Sequence, residues 1–215
     1  MPPNAAPYAP RSSTGESGMN HSASNVLIVP GLRDSGPGHW QTHWQQRLGA
    51  RRVGQRDWNQ PELTRWAGEV ERALAAAGDA VYRTWIVAHS FGCLATLMAL
   101  AASGAPVAGV FLAAPADPDK FGIGNALRLR SQAPGLVVGS TTDPWLSWER
   151  AQQWAARWDL PLLSAGAAGH INVDSGHGAW AEGWQWFQQL RRIGLEYSYQ
   201  LGENHRLQAS VRRAS

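Results

Sequence analysis

A serine stands in the run Trp85-Ile86-Val87-Ala88-His89-Ser90-Phe91-Gly92-Cys93, where an apolar stretch that reads as a buried strand gives way to an apolar helix. Two small residues, Ala88 and Gly92, lie two positions to either side. A chain that passes directly from strand to helix must turn tightly there, and small flanking residues let the turn close with the serine hydroxyl projecting outward. The pattern is that of the nucleophile elbow, G-x-S-x-G, with Ala88 in place of the first glycine. The helix that follows aims its unpaired N–H groups at the same spot. The plain alternative is a serine that merely caps a helix; the strand before it and the helix after it favour a nucleophile.

A serine hydroxyl is a weak nucleophile near neutral pH and needs a base, which in turn needs an orienting acid. On a strand-turn-helix scaffold of this kind the three follow the order Ser, acid, His. Asp143 fits the acid, because Leu136-Val137-Val138-Gly139 reads as a strand and the turn Ser140-Thr141-Thr142 leads into Asp143-Pro144. His170 fits the base, following a strand near Leu160–Ser164 and the stretch Ala165-Gly166-Ala167-Ala168-Gly169. Rivals stay open: Asp117 and Asp119 follow the preceding strand, and His177 sits seven residues beyond His170. His89 adjoins the serine and suits a supporting role. The developing oxyanion needs backbone donors, expected from Phe91 and from Leu32 in the loop Pro30-Gly31-Leu32-Arg33-Asp34-Ser35-Gly36-Pro37-Gly38, with Gly31 permitting close approach. His39, Trp58 and Trp145 are candidates for the substrate pocket, with Trp66 and Trp148 as further options.

Other signals carry less. His39 and His43 have the i, i+4 spacing of two zinc ligands, but no glutamate follows His39 and no third ligand is evident. Gly36-Pro37-Gly38 does not complete a dinucleotide-binding fingerprint. Cys93 reads as a small core residue, and packing is the default role of the 12 tryptophans. No metal and no cofactor are expected.

The elements that must position these residues follow from apolar period. Asn25–Pro30 reads as a buried strand, and Trp40, Trp44 and Leu48 share a helical face stopped by Gly49. A weak strand is expected over Ala50–Gln55. A helix opens at Pro61, carries Leu63, Trp66, Val70, Leu74 and Ala77 on one face and closes at Gly78. Strand Thr84–Ala88, helix Phe91–Ala102, strands Val107–Ala113 and Leu136–Gly139, helix Leu146–Trp158, strand Leu160–Ser164 and a helix holding Trp180, Trp184 and Phe187 complete the order. Short apolar strands alternating with amphipathic helices predict an α/β fold, a mostly parallel sheet of about six strands covered on both faces.

With 215 residues, 44% of them hydrophobic, the chain suits one domain with a real core. Residues 25–194 are expected to form it. Residues 1–24, rich in Pro, Ser, Ala and Asn, read as a disordered extension, and residues 195–215 as a polar, basic tail. The net charge of +3 belongs to the tail region: residues 191–215 hold five Arg and two Glu, whereas residues 25–190 balance 13 basic against 13 acidic residues. Such a neutral body lacks the footprint of a nucleic-acid binder. No apolar run approaches the ~18 residues of a membrane span, and no signal peptide is visible. A lone cysteine cannot pair internally, which fits a cytoplasmic protein.

Over Val26–Leu190 the sequence resembles the small serine hydrolases of the retinoblastoma-binding protein 9 / YdeN group, a minimal branch of the α/β-hydrolases. The resemblance rests on Pro30-Gly31 with Gly38-His39-Trp40, Asp57-Trp58 with Pro61, Ala88-His89-Ser90-Phe91-Gly92-Cys93, Asp143-Pro144-Trp145, and Gly169-His170-Ile171-Asn172 followed by Ser175-Gly176-His177-Gly178. It implies Ser90 as nucleophile, Asp143 as acid and His170, rather than His177, as base. It also implies a small ester or amide substrate, no metal and no large cap domain. The alternative from another class is a hydrolase fold kept as a protein-binding module with incidental or latent activity.

Overall fold

A computed structural model describes residues 25–194; the expectations for residues 1–24 and 195–215 lie outside the described residues. The order is β1 (Asn25–Val29), α1 (Trp40–Leu48), β2 (Arg51–Arg52), α2 (Leu63–Ala75), β3 (Thr84–His89), α3 (Phe91–Ser103), β4 (Gly109–Ala113), β5 (Gly135–Gly139), α4 (Trp148–Trp158), β6 (Leu162–Ser164) and α5 (residues 181–194). Short 3-10 turns cover Gly78–Arg83, Pro118–Phe121 and Val173–Ser175.

Side chains alternate across each strand, so a strand buried on both faces needs a continuous apolar run. In β1, Leu27 and Val29 enter one core while Val26 and Ile28 enter the other. All six residues of β3 are buried. The sheet is wholly parallel in the order β2-β1-β3-β4-β5-β6. Helices α2, α3 and α4 supply the core on one face, with Leu63, Trp66, Val70 and Leu74 as the apolar stripe of α2. Trp40 and Trp44 of α1 and Phe187 of α5 fill the other, together with Phe111 and Trp180. There Trp44 stacks on Phe187 (ring centroids 5.6 Å, planes 16° apart) and meets Trp40 edge-on at 4.6 Å.

The expected elements shorten in places for local reasons. β2 keeps two residues rather than six: after the bond from Val53 N–H to Ile28 O the chain leaves the sheet, and a short edge strand leaves little unpaired backbone. Ser147 accepts the Arg150 N–H and so sets the start of α4 at Trp148. Pro161 contributes only a carbonyl to β5, and β6 begins after it. The stretch between β4 and β5 has Pro118–Phe121 as its regular structure, and no large cap domain is present among the described residues.

The chain runs outward from β1 to β2, then returns to place β3 on the other side of β1. The loops leaving β1 and β3 therefore diverge to opposite faces and open a crevice at the carboxyl ends of the strands. Gln41 plugs its base. It is fully buried, donates from Nε2 to the carbonyls of Val29 (3.2 Å) and Val87 (3.1 Å), and accepts from Ser35 Oγ at 2.6 Å. No described helix is long and apolar enough to cross a membrane.

Candidate active site

Ser90 occupies the turn between β3 and α3 with φ +53° and ψ −125°, backbone that a non-glycine residue adopts at a cost of roughly 1–3 kcal/mol. Its side chain makes no capping bond to α3, so the helix-cap reading fails. The turn is held by Ser90 N–H bonding to Ala113 O at 3.1 Å. Gly92 is obligatory, since a β-carbon there would lie 2.5 Å from Val29 O and 2.3 Å from Pro30 O. Ala88, by contrast, avoids positive φ and buries its methyl group in the core of α2, α3 and α4, so the missing first glycine does no harm.

Ser90 Oγ lies 3.0 Å from His170 Nε2, and His170 Nδ1 lies 2.9 and 3.0 Å from the two carboxylate oxygens of Asp143. All three residues are buried. The two loops that bring them together are tied to each other. Ser140 Oγ accepts Ala168 N–H at 2.9 Å, and Thr142 Oγ1 accepts Gly169 N–H at 3.0 Å. Asp143 Oδ1 also accepts Trp145 N–H at 2.8 Å, which fixes the carboxylate. Gly169 has φ +55°, and a β-carbon there would strike Ser175 at 2.6 Å. His89 supports the same loop: its Nε2–H donates to His170 O at 2.9 Å. Burial, reinforced by the neighbouring His170 and His39, pushes the His89 pKa well below its usual value, so this ring is a neutral strut.

The rival residues are placed elsewhere. Asp117 pairs with Arg150 at 2.9 Å, and Asp119 bonds the same guanidinium. Burial would raise the Asp117 pKa, but the hydrogen bonds from Arg150 and Asp119 N–H outweigh it and hold the carboxyl below its usual range. His177 faces Ser175 Oγ (3.4 Å) and the edge of Trp180, outside the cavity wall. Cys93 is fully buried near Ala113 O, and burial raises its thiol pKa, so the reactive thiolate is disfavoured.

A cavity of about 350 Å³ opens over Ser90. His39, Leu32, Phe121, Trp145 and Val173 are among the residues that line it, so two of the three expected pocket residues meet there. Trp58 does not line it. It packs edge-on against Trp66, and its carbonyl accepts Arg33 N–H at 3.0 Å, so it buttresses the β1 loop from behind. Trp66 lies in the core, and Trp148 packs near Gly139. Gly31 touches the elbow: a β-carbon there would lie 2.6 Å from Ser90 Cβ. That contact brings Leu32 beside the serine, and among the described residues no backbone carbonyl takes the Leu32 or Phe91 N–H. Arg33 and Asp34 both adopt positive φ, a strained pair of which the sequence shows no sign. The roles of Gln41, Phe121 and Val173 are equally hidden in the sequence; a glutamine on the buried side of α1 is the one available signal.

His39 and His43 do not form a metal site. His39 lines the cavity and caps α1, whereas His43 is exposed, and no group of three His, Cys, Asp or Glu among the described residues could hold an ion.

A parallel sheet with a switch-point crevice and a serine at a strained strand-to-helix turn defines an α/β-hydrolase. The model of the serine hydrolase family matches residues 26–189. The chain is similar to a YdeN-like hydrolase from Pectobacterium atrosepticum, with 37% identity, 79% of this chain and 91% of that one covered, and a TM-score of 0.74. The chain thus belongs to the serine hydrolase family, as an α/β-hydrolase of the YdeN type. In fold it is also similar to the ydeN gene product of B. subtilis (20% identity, 78% and 98% covered, TM-score 0.63). A further likeness in fold is to Est1E from Butyrivibrio proteoclasticus, solved with ferulic acid bound (14% identity, 80% and 88% covered, TM-score 0.60). Among curated proteins no match is found.

Proposed function

We propose that this hydrolase cleaves small carboxylic esters or amides by acyl transfer through Ser90. His170 Nε2 takes the Ser90 proton as Oγ attacks the carbonyl carbon, and Asp143 keeps the remaining ring proton on Nδ1 and stabilises the imidazolium that forms. The N–H groups of Leu32 and Phe91 receive the oxyanion. Collapse of the tetrahedral adduct expels the alcohol or amine, which leaves with the proton from His170, and an acyl-serine ester remains. Water, deprotonated by His170, then attacks that ester, releases the acid and restores Ser90.

The observation that carries this reading is the continuous chain Ser90 Oγ–His170 Nε2 (3.0 Å) and His170 Nδ1–Asp143 Oδ2 (2.9 Å), set under an open cavity. The cavity volume falls in the range of small-molecule sites. A fluorophosphonate probe, which forms a stable tetrahedral adduct with an activated serine, tests it directly. The wild-type protein is expected to label and Ser90→Ala to remain unlabelled. Equal labelling of Ser90→Ala would move the nucleophile elsewhere, and no labelling of folded wild-type protein would favour a binding module.

A further inference from the structure

One mostly buried polar residue on the cavity wall is not used by this mechanism. His39 is 6% exposed and lies in the same wall as Ser90 and His170. Its Nδ1 accepts the backbone N–H of Gln41 at 3.2 Å, capping α1. A backbone amide can only donate, so Nδ1 carries no proton and the neutral ring must hold its proton on Nε2. That Nε2–H has no protein acceptor among the described residues, is not among the fully buried atoms, and belongs to a ring that lines the cavity. The ring itself cannot wander: it meets His89 edge-on at 4.9 Å and Trp40 at 5.4 Å, and its cap partner Gln41 is pinned to β1 and β3. A donor held rigidly in a cavity wall with no protein partner is free to bond a ligand atom in place of water.

We infer that His39 is a substrate-binding residue whose Nε2–H donates to an acceptor atom of the substrate near the scissile carbonyl, so that oxygen-bearing esters are preferred over purely alkyl ones. The inference rests on the hydrolase reading above. Burial, with Arg52, His170 and His43 adding positive charge nearby, lowers the His39 pKa to about 4, and the ring therefore stays a neutral single donor at neutral pH. Nε2–H offers one hydrogen bond and no charge, which selects ether, hydroxyl or carbonyl oxygen over a bare methylene. It discriminates because an alkyl group in the same place would leave the buried N–H unpaired.

The test compares isosteric esters that differ by one oxygen for one methylene. On the acyl side these are p-nitrophenyl 3-methoxypropanoate and p-nitrophenyl pentanoate; on the alcohol side, 2-methoxyethyl acetate and butyl acetate. The ratio of kcat/KM within each pair is measured for wild type, His39→Leu and His39→Asn. Asn can still accept the Gln41 N–H through its amide oxygen, but its NH₂ group then falls where the ring Cδ2 lies, short of the Nε2 position, so it keeps the cap and loses the donor. In at least one pair His39→Leu and the cap-preserving His39→Asn are both expected to lower the ether-to-alkyl ratio about three- to tenfold, the range one hydrogen bond supplies. Loss of the helix cap alone would slow both members of a pair alike and leave the ratio unmoved, so unchanged ratios in both pairs overturn the inference while leaving the hydrolase intact. Failure of the wild type to turn over any of the four esters, together with no phosphonate labelling, would instead sink the hydrolase reading and this inference with it.

Discussion

His170 and His177 carry the same ring seven residues apart, yet they find different partners. One ring bridges Ser90 and Asp143; the other faces Ser175 and Trp180. His170→Ala is therefore expected to lower kcat on the order of 10⁴-fold or more, as removal of the base does where three residues act as a unit. His177→Ala should change kcat less than about tenfold. Asp143→Asn belongs to the same comparison. Its carboxylate accepts the ring N–H, and an amide group there can present a donor instead, which favours the wrong tautomer; a loss of roughly 10⁴-fold is expected. Steady-state rates on one chromogenic ester, with circular dichroism to confirm folding, read all three. A comparable loss in His177→Ala would transfer the base assignment.

Two glycines show how elements, rather than single groups, set the geometry. Gly92 is where α3 crosses the end of β1, and its missing β-carbon lets the helix start against the carbonyls of Val29 and Pro30. Backbone atoms cannot step aside as a flexible side chain can. Gly92→Ala should accordingly displace the whole helix start, lowering both stability and soluble yield. At Gly31 the obstacle is Ser90 itself, whose Cβ lies 2.6 Å from where an added methyl group would sit. Gly31→Ala should push the β1 loop, and the Leu32 N–H with it, off the elbow. The expected result is a kcat loss of roughly 10²-fold or more, the scale of losing an oxyanion donor, with a smaller fall in Tm than for Gly92→Ala. Parallel melting curves and kinetics separate the two; a Gly31→Ala enzyme with full kcat would remove Leu32 from the proposed oxyanion site.

Across the whole molecule, the buried histidines tie stability to pH. His39, with its pKa lowered to about 4, and His89, shifted in the same direction, both stay neutral in the fold. Once unfolded they regain the usual value near 6.5, so below that pH the unfolded chain binds protons that the folded chain refuses. Stability should thus fall as pH drops from about 6.5 toward 4, with His39 alone contributing on the order of 3 kcal/mol over that window. The groups facing these rings, Arg52, His43 and His170, make protonation harder still. Thermal melts from about pH 7.5 to about pH 3.5, a range that brackets the fall, check this. Tm should decline steadily in the wild type and less steeply in His39→Asn. Parallel slopes would mean that His39 does not resist protonation in the fold.

Much of this was legible in one dimension because it is local. The apolar run Trp85–Ala88 had to be a buried strand, the small residues around Ser90 marked a tight turn, and the spacing to Asp143 and His170 matched loops after later strands. Strand-helix alternation likewise set the layers, since each apolar face needs cover. Tertiary structure decided what depends on residues far apart. Asp117 and Asp143 look alike in sequence, and only folding brings Arg150 to one and His170 to the other. Trp58 and Trp145 are both aromatic residues on loops, but the bond from Arg33 N–H to the Trp58 carbonyl turns one into a buttress while the other lines the cavity. The role of Gln41 and the tautomer of His39 follow from strand ends that converge at the switch point. A sequence specifies which groups can donate or accept, whereas the partner each one finds is settled by packing across the sheet.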